Sequence, residues 1–118
     1  MRPEYIRLPQ YIDSRGVLVV CESGAEIDFP IARAFWIVHT PASEWRGGHA
    51  HKECHQFLIA LHGSLHVVSA HSVYFLNSPF IGLCVPPLNN IKLTHFTPDT
   101  VLLALCSHPH DKDDYIYD

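Results

Sequence analysis

Between residues 17 and 106 the chain nowhere sustains the apolar spacing of a capped helix. It runs instead through eight short stretches, many of them rich in β-branched and aromatic residues, at 17–21, 31–38, 56–61, 65–68, 73–76, 82–85, 91–96 and 100–106. Turn-forming clusters separate them, among them His62-Gly63-Ser64, Ala70-His71-Ser72, Pro86-Pro87-Leu88-Asn89-Asn90 and Thr97-Pro98-Asp99. Strands this short, at this spacing, predict an all-β sandwich or barrel. No internal repeat, low-complexity tract or linker interrupts the series, and 118 residues suit one domain spanning 1–118.

With 47% hydrophobic and 17% charged residues, the chain has the material for a real core. Its net charge of −4 argues against general nucleic-acid binding, which needs a basic face. An anionic small ligand stays open if a few Arg converge in a pocket. The opening Met-Arg-Pro-Glu-Tyr-Ile-Arg lacks the apolar core of a signal peptide, and no stretch is long enough for a membrane span, so a cytoplasmic protein is expected. Cys21, Cys54, Cys84 and Cys106 lie far apart without a Cys-x-x-Cys spacing, and three of them sit in apolar runs. Reduced, buried thiols are expected rather than disulfides.

One stretch carries a chemical signal: Arg46-Gly47-Gly48-His49-Ala50-His51-Lys52, followed by Gln56 and Gly63. On a strand, residues i and i+2 share a face, with Cα atoms roughly 6.6 Å apart. The rings of His49 and His51 can therefore converge on one ligand or on one metal, and position alone does not choose between these.

The spacing resembles the first cupin motif, in which a Gly precedes His-x-His and a Glu and a Gly follow. Here His51 is followed by four residues, Gln56, six residues and Gly63. In more detail the chain is similar to the cupin-type dTDP-4-keto-6-deoxyglucose 3,4-ketoisomerases. The matching pieces are Ile12-Asp13-Ser14-Arg15-Gly16, Phe29-Pro30-Ile31-Ala32-Arg33, the heptapeptide 46–52, Gln56, Gly63-Ser64, Ser78-Pro79, Gly82-Leu83 and Asp113-Asp114-Tyr115-Ile116. They keep the family's order along nearly the whole chain.

That resemblance implies a cupin jelly-roll β-barrel, a homodimer, and an enzyme working without metal or other cofactor. It implies an isomerase moving the carbonyl between C4 and C3 of a dTDP-linked 4-keto-6-deoxyhexose, in deoxyamino-sugar biosynthesis, with an aminotransferase using the product. Imidazole titrates near neutral pH and can serve as base and then as acid. His49 is the expected base at C3, with His51 assisting at C4 or orienting the sugar. Arg15, Arg33 and Arg46 fall on family motifs and are expected on the pyrophosphate, although Arg15 and Arg46 also read as exposed loop residues. Trp36 is expected either to stack on the sugar or base or to pack in the core. Gln56, where metal-binding cupins carry Glu, is expected to hydrogen-bond substrate. After Pro86-Pro87, where relatives usually carry a Trp-His pair, this chain has Asn90-Ile91, so the third imidazole of a cupin metal site is missing. Two other readings stay open: a metal-dependent cupin enzyme using His49, His51 and His55, completed by a distant His95, and a non-catalytic sugar-nucleotide-binding domain.

Overall fold

Alternation along the strands sorts the chain into two antiparallel five-stranded sheets, seen in a computed structural model that describes residues 1–117. The strands are β1 (Glu4–Arg7), β2 (Gln10–Asp13), β3 (Gly16–Val19), β4 (Arg33–Val38), β5 (Arg46–His51) and β6 (Gln56–His62). They continue with β7 (Leu65–Val68), β8 (Val73–Leu76), β9 (Ile81–Val85), β10 (Ile91–Thr94), β11 (Val101–Cys106) and β12 (Tyr115–Ile116). A 3-10 turn, Lys112–Asp114, leads into β12, the Asp111 carboxylate accepting the backbone N–H of Asp113. The sheets run in the orders β1-β9-β6-β11-β4 and β12-β5-β10-β7-β8, with β2 and β3 forming a separate two-stranded ribbon.

The two sheets face each other as a jelly roll of the cupin type. Between them lies a core of Leu58, Ala60, Leu65, Val67, Leu76, Leu83, Ile91, Leu93 and Leu102, fed by strands of both sheets. Burying each such side chain contributes roughly 1.5–3 kcal/mol relative to exposure. Strand β6 is buried on both faces: Leu58 and Ala60 enter this core, while Phe57 and Ile59 join Leu8, Ile27, Phe29 and Leu105 in a second one. Its near-continuous apolar sequence follows from that double burial.

Each of the eight stretches expected as a strand contains one, with ends moved by a few residues. The run 31–38 starts pairing at Arg33, where it meets Cys106 of β11, and 91–96 stops at Thr94. Strands β1, β2 and β12 were not expected. The four cysteines are free thiols, Cys54 and Cys106 buried and Cys21 and Cys84 partly so.

Candidate active site

The glycines of the heptapeptide give β5 its shape. Gly47 and Gly48 both adopt φ +87°, a conformation that favours glycine. They create a bulge against β10, where His49 pairs with Ile91 but Gly47 pairs with Lys92, so Gly48 is the extra residue. A Cβ on Gly47 would lie 2.7 Å from the Ile91 carbonyl oxygen, so the two backbones approach as closely as they do because no side chain intervenes. Beyond the bulge the pleat turns His49 and His51 into the space between the sheets.

That space is a cavity of about 310 Å³. Strand β4 contributes Arg33, Phe35, Trp36 and Ile37, and β5 contributes Arg46, Gly47, His49 and His51. Gln56 and Leu58 come from β6, Ile91 and Leu93 from β10, Leu102 from β11 and Tyr115 from β12. Its apolar lining residues Leu58, Ile91, Leu93 and Leu102 are all buried.

The two imidazoles differ in their surroundings. The His51 Nδ1 lies 2.9 Å from the Asp114 carboxylate, with both side chains largely buried. The same carboxylate accepts the backbone N–H groups of Glu53 and Cys54 at 2.9 and 3.2 Å. Burial works against the Asp114 charge, but those two amides and His51 outweigh it and hold its pKa below the usual carboxylate value. A carboxylate only accepts, so Nδ1 of His51 carries a hydrogen, and in the neutral ring the lone pair is on Nε2.

Among the described residues, no carboxylate is hydrogen-bonded to His49. Its ring stacks on Tyr115 at 4.1 Å between centroids and 17° between planes, and stands edge-on to His51 at 5.3 Å. Burial, with the neighbouring His51 adding to it, lowers its pKa below that of free imidazole. That shift favours the uncharged ring.

The Arg33 guanidinium sits over the Phe35 ring at 4.8 Å and, with Arg46, gives the acidic protein two cations at its cavity. Gln56 donates from Nε2 toward Cys106 Sγ at 4.0 Å, and Trp36, 67% exposed, stands on the edge strand at the cavity rim rather than in the core. Arg15 is elsewhere: it lies in the turn of the β2–β3 ribbon, fully exposed and ion-paired with Asp13 at 2.6 Å, and does not line the cavity. The structure thus brings together His49, His51, Arg33, Arg46, Trp36 and Gln56, but not Arg15.

The trio weighed as metal ligands does not assemble. The ring of His55 packs against Phe29 at 5.8 Å, on the side of the second core. His95 stacks on His66 at 4.3 Å, away from the cavity. Among the described residues, no group of three or more His, Cys, Asp or Glu is placed to hold a metal ion.

Asp114 and Tyr115 carry roles that sequence reasoning missed. It found them only as part of a motif near the end of the chain, because nothing local says that residues 114–116 fold back onto residues 50–53. The link is the pairing of Tyr115 with His51 and Ile116 with Ala50.

Comparison with known proteins agrees with this geometry. The family model FdtA (WxcM-like, C-terminal) matches residues 1–118. The chain is 38% identical over 120 residues to the TDP-4-oxo-6-deoxy-alpha-D-glucose-3,4-oxoisomerase of Aneurinibacillus thermoaerophilus, covering 98% of this chain and 86% of that one. It superposes on the sugar 3,4-ketoisomerase QdtA of Thermoanaerobacterium thermosaccharolyticum, solved with TDP, with a TM-score of 0.94 at 33% identity over 99% of this chain and 88% of that one. The TDP-quinovose 3,4-ketoisomerase WlaRB of Campylobacter jejuni gives 0.93 at 31% identity, covering 98% and 92%. The chain belongs to the FdtA (WxcM-like, C-terminal) family of cupin-fold sugar-nucleotide isomerases.

Proposed function

We propose that this protein is an isomerase that moves the carbonyl of a TDP-linked 4-keto-6-deoxyhexose between C4 and C3. The observation that carries this reading is the His51–Asp114 pair: an imidazole of fixed tautomer, its free Nε2 facing a cavity that also holds two guanidinium groups. That arrangement suits removal of a proton next to a carbonyl in a ligand anchored by its phosphates.

The geometry favours a division of labour opposite to the one the family resemblance implies. His51 is the better base at C3, because Asp114 stabilises the imidazolium that forms and keeps the ring in place. Carrying the proton from C3 to C4 is then a short transfer by the same nitrogen between adjacent carbons. His49, its ring stacked on Tyr115, orients the sugar. Arg33 and Arg46 are assigned to the pyrophosphate, Trp36 to stacking on the base or sugar, and Gln56 to a sugar hydroxyl.

A homodimer completes the reading. Among the described residues the β2–β3 ribbon pairs with no other strand, and it exposes Tyr11 and Ile12 on β2 and Val17 and Leu18 on β3. A second copy is the partner that would cover them. Among the described residues no helix is long and apolar enough to cross a membrane, and four free thiols fit a reducing, cytoplasmic setting.

The test is incubation with TDP-4-keto-6-deoxyglucose in D₂O, with the product trapped by a 3-aminotransferase. Deuterium at C3 of recovered substrate and a 3-amino product are expected. Tight TDP-sugar binding without exchange would leave a non-catalytic binding domain instead.

A further inference from the structure

Two thiols that the isomerisation does not use lie beside the cavity. Cys54 sits in the loop between β5 and β6, and Cys106 ends β11, where it pairs with Gln56. The backbone N–H of Ser107 donates to the His55 carbonyl at 3.0 Å, so the two segments run side by side. Cys54 and Cys106 are diagonal neighbours across them, and their thiols share a hydrogen bond. Each is also tied to the site. The backbone N–H of Cys54 donates to the Asp114 carboxylate that meets His51. Gln56, which lines the cavity, reaches the Cys106 sulfur at 4.0 Å.

Their surroundings make the two thiols unequal. The hydrogen bond from Cys106 lowers the Cys54 pKa to about 5; burial opposes it, while the His108 backbone N–H and the Ser107 hydroxyl add to it. That same bond, with burial, pushes Cys106 up, so Cys106 keeps its proton. A thiolate touching a protonated thiol is the arrangement of an attacking cysteine and its resolving partner. Cys21 and Cys84 are less buried, yet burial raises both, Cys84 to about 11.

We propose that Cys54 and Cys106 form a peroxide-reactive pair whose disulfide slows the site beside it. The oxidant is a hydroperoxide, and hydrogen peroxide is small enough to pass Gln56 from the cavity. The Cys54 sulfur attacks the peroxide, an S–O bond forms as O–O breaks, and hydroxide leaves. Cys106 then attacks the Cys54 sulfenic acid: S–S forms, S–O breaks, and the Cys106 proton leaves with the oxygen as water. The two sulfurs lose two electrons between them, and the peroxide gains both. Bonded sulfurs sit closer than hydrogen-bonded ones. Drawing Cys54 toward β11 therefore shifts the amide that holds Asp114. The effect on turnover rests on the isomerase reading above; the oxidation does not.

The test treats reduced wild type, Cys54→Ser and Cys106→Ser with hydrogen peroxide, then reads peptide masses and turnover of TDP-4-keto-6-deoxyglucose. Wild type should yield a Cys54–Cys106 cross-linked peptide, lighter by two hydrogens. Its kcat should fall on the order of 10²-fold, the scale of a small misplacement at a reacting centre, and dithiothreitol should restore it. Cys106→Ser should stop at the sulfenic acid, trapped by dimedone on Cys54. Cys54→Ser should form neither product at position 106, and its turnover should not respond to peroxide. A folded wild type that oxidises at Cys21 or Cys84 first, without the cross-link, overturns the assignment of the pair. A cross-link that leaves kcat unchanged overturns its control of the site. Wild type that cross-links but turns over no TDP-sugar even when reduced overturns the isomerase reading and leaves the reactive pair standing.

Discussion

The two histidines are chemically the same residue, and their neighbours decide what each does. His51 donates to a carboxylate that two backbone amides already hold in place. His51→Asn should therefore cost about 10²–10⁴ in kcat with little change in TDP affinity. Asp114→Asn should cost less, since the base remains, but ¹⁵N NMR of His51 should show a mixture of tautomers in place of one. A single tautomer in that variant would mean that Asp114 does not orient the ring. His49 makes the opposite case. Its pKa is lowered by burial, so on acidification it takes its proton only below the 6.5 of free imidazole. The unfolded chain takes that proton first, so His49 causes stability to fall as pH drops from about 6.5 toward its folded-state midpoint. Tyr115→Ala uncovers the ring and should move the NMR midpoint of His49 upward; no movement would show that the stack is not what shields it. The histidine pair, Arg33, Arg46, Trp36 and Gln56 were readable as candidates because strand spacing and a family pattern mark them. Asp114 was not, since its partner lies 63 positions away and only tertiary pairing joins them.

Elements were legible wherever burial wrote a pattern. Strands β6, β9 and β11 are buried on one or both faces, and their apolar runs announce them. Strands β1 and β2 carry mostly exposed residues, so no alternation marks them, and β12 is a two-residue pairing without a sequence signature. Strand β5 is legible only through the same-face spacing of its His pair, and its bulge is not, since positive φ at two glycines is a property of the paired backbone. The bulge is testable. Gly47→Ala meets both the cost of positive φ and the Ile91 carbonyl at 2.7 Å. It should destabilise by about 1–3 kcal/mol and disturb the His49 ring. Gly24 also has positive φ, at +90°, but a Cβ there meets nothing within 4 Å. Gly24→Ala should cost only about 1–2 kcal/mol and leave TDP binding unchanged. Equal denaturation midpoints for the two variants would remove the steric part of this account.

At the scale of the whole molecule, one chain leaves the ribbon unexplained. Ile12 pairs with Val17 and Tyr11 with Leu18, so neighbouring residues point to opposite faces and the ribbon is apolar on both. Exposures of 74% for Ile12 and 63% for Leu18 are costly in water for an isolated hairpin, and two-stranded ribbons are marginal alone. A second copy covering both faces removes that cost. Sedimentation at micromolar concentration should give a dimer for the wild type and a monomer for Ile12→Asp combined with Leu18→Asp; a monomeric wild type would sink the dimer. Arg15 rides at the tip of this ribbon, outside the cavity of its own chain. If it binds pyrophosphate, it does so in the cavity of the other copy, and its contribution must depend on the dimer. Arg15→Ala should then weaken TDP affinity by about 1.5–3 kcal/mol, the scale of a hydrogen bond to a charged group. The monomeric variant should lose the same increment, and adding Arg15→Ala to it should cost nothing more, because the two changes remove one contact. Arg15→Ala with unchanged affinity in the dimer would assign Arg15 to its exposed pair with Asp13 alone.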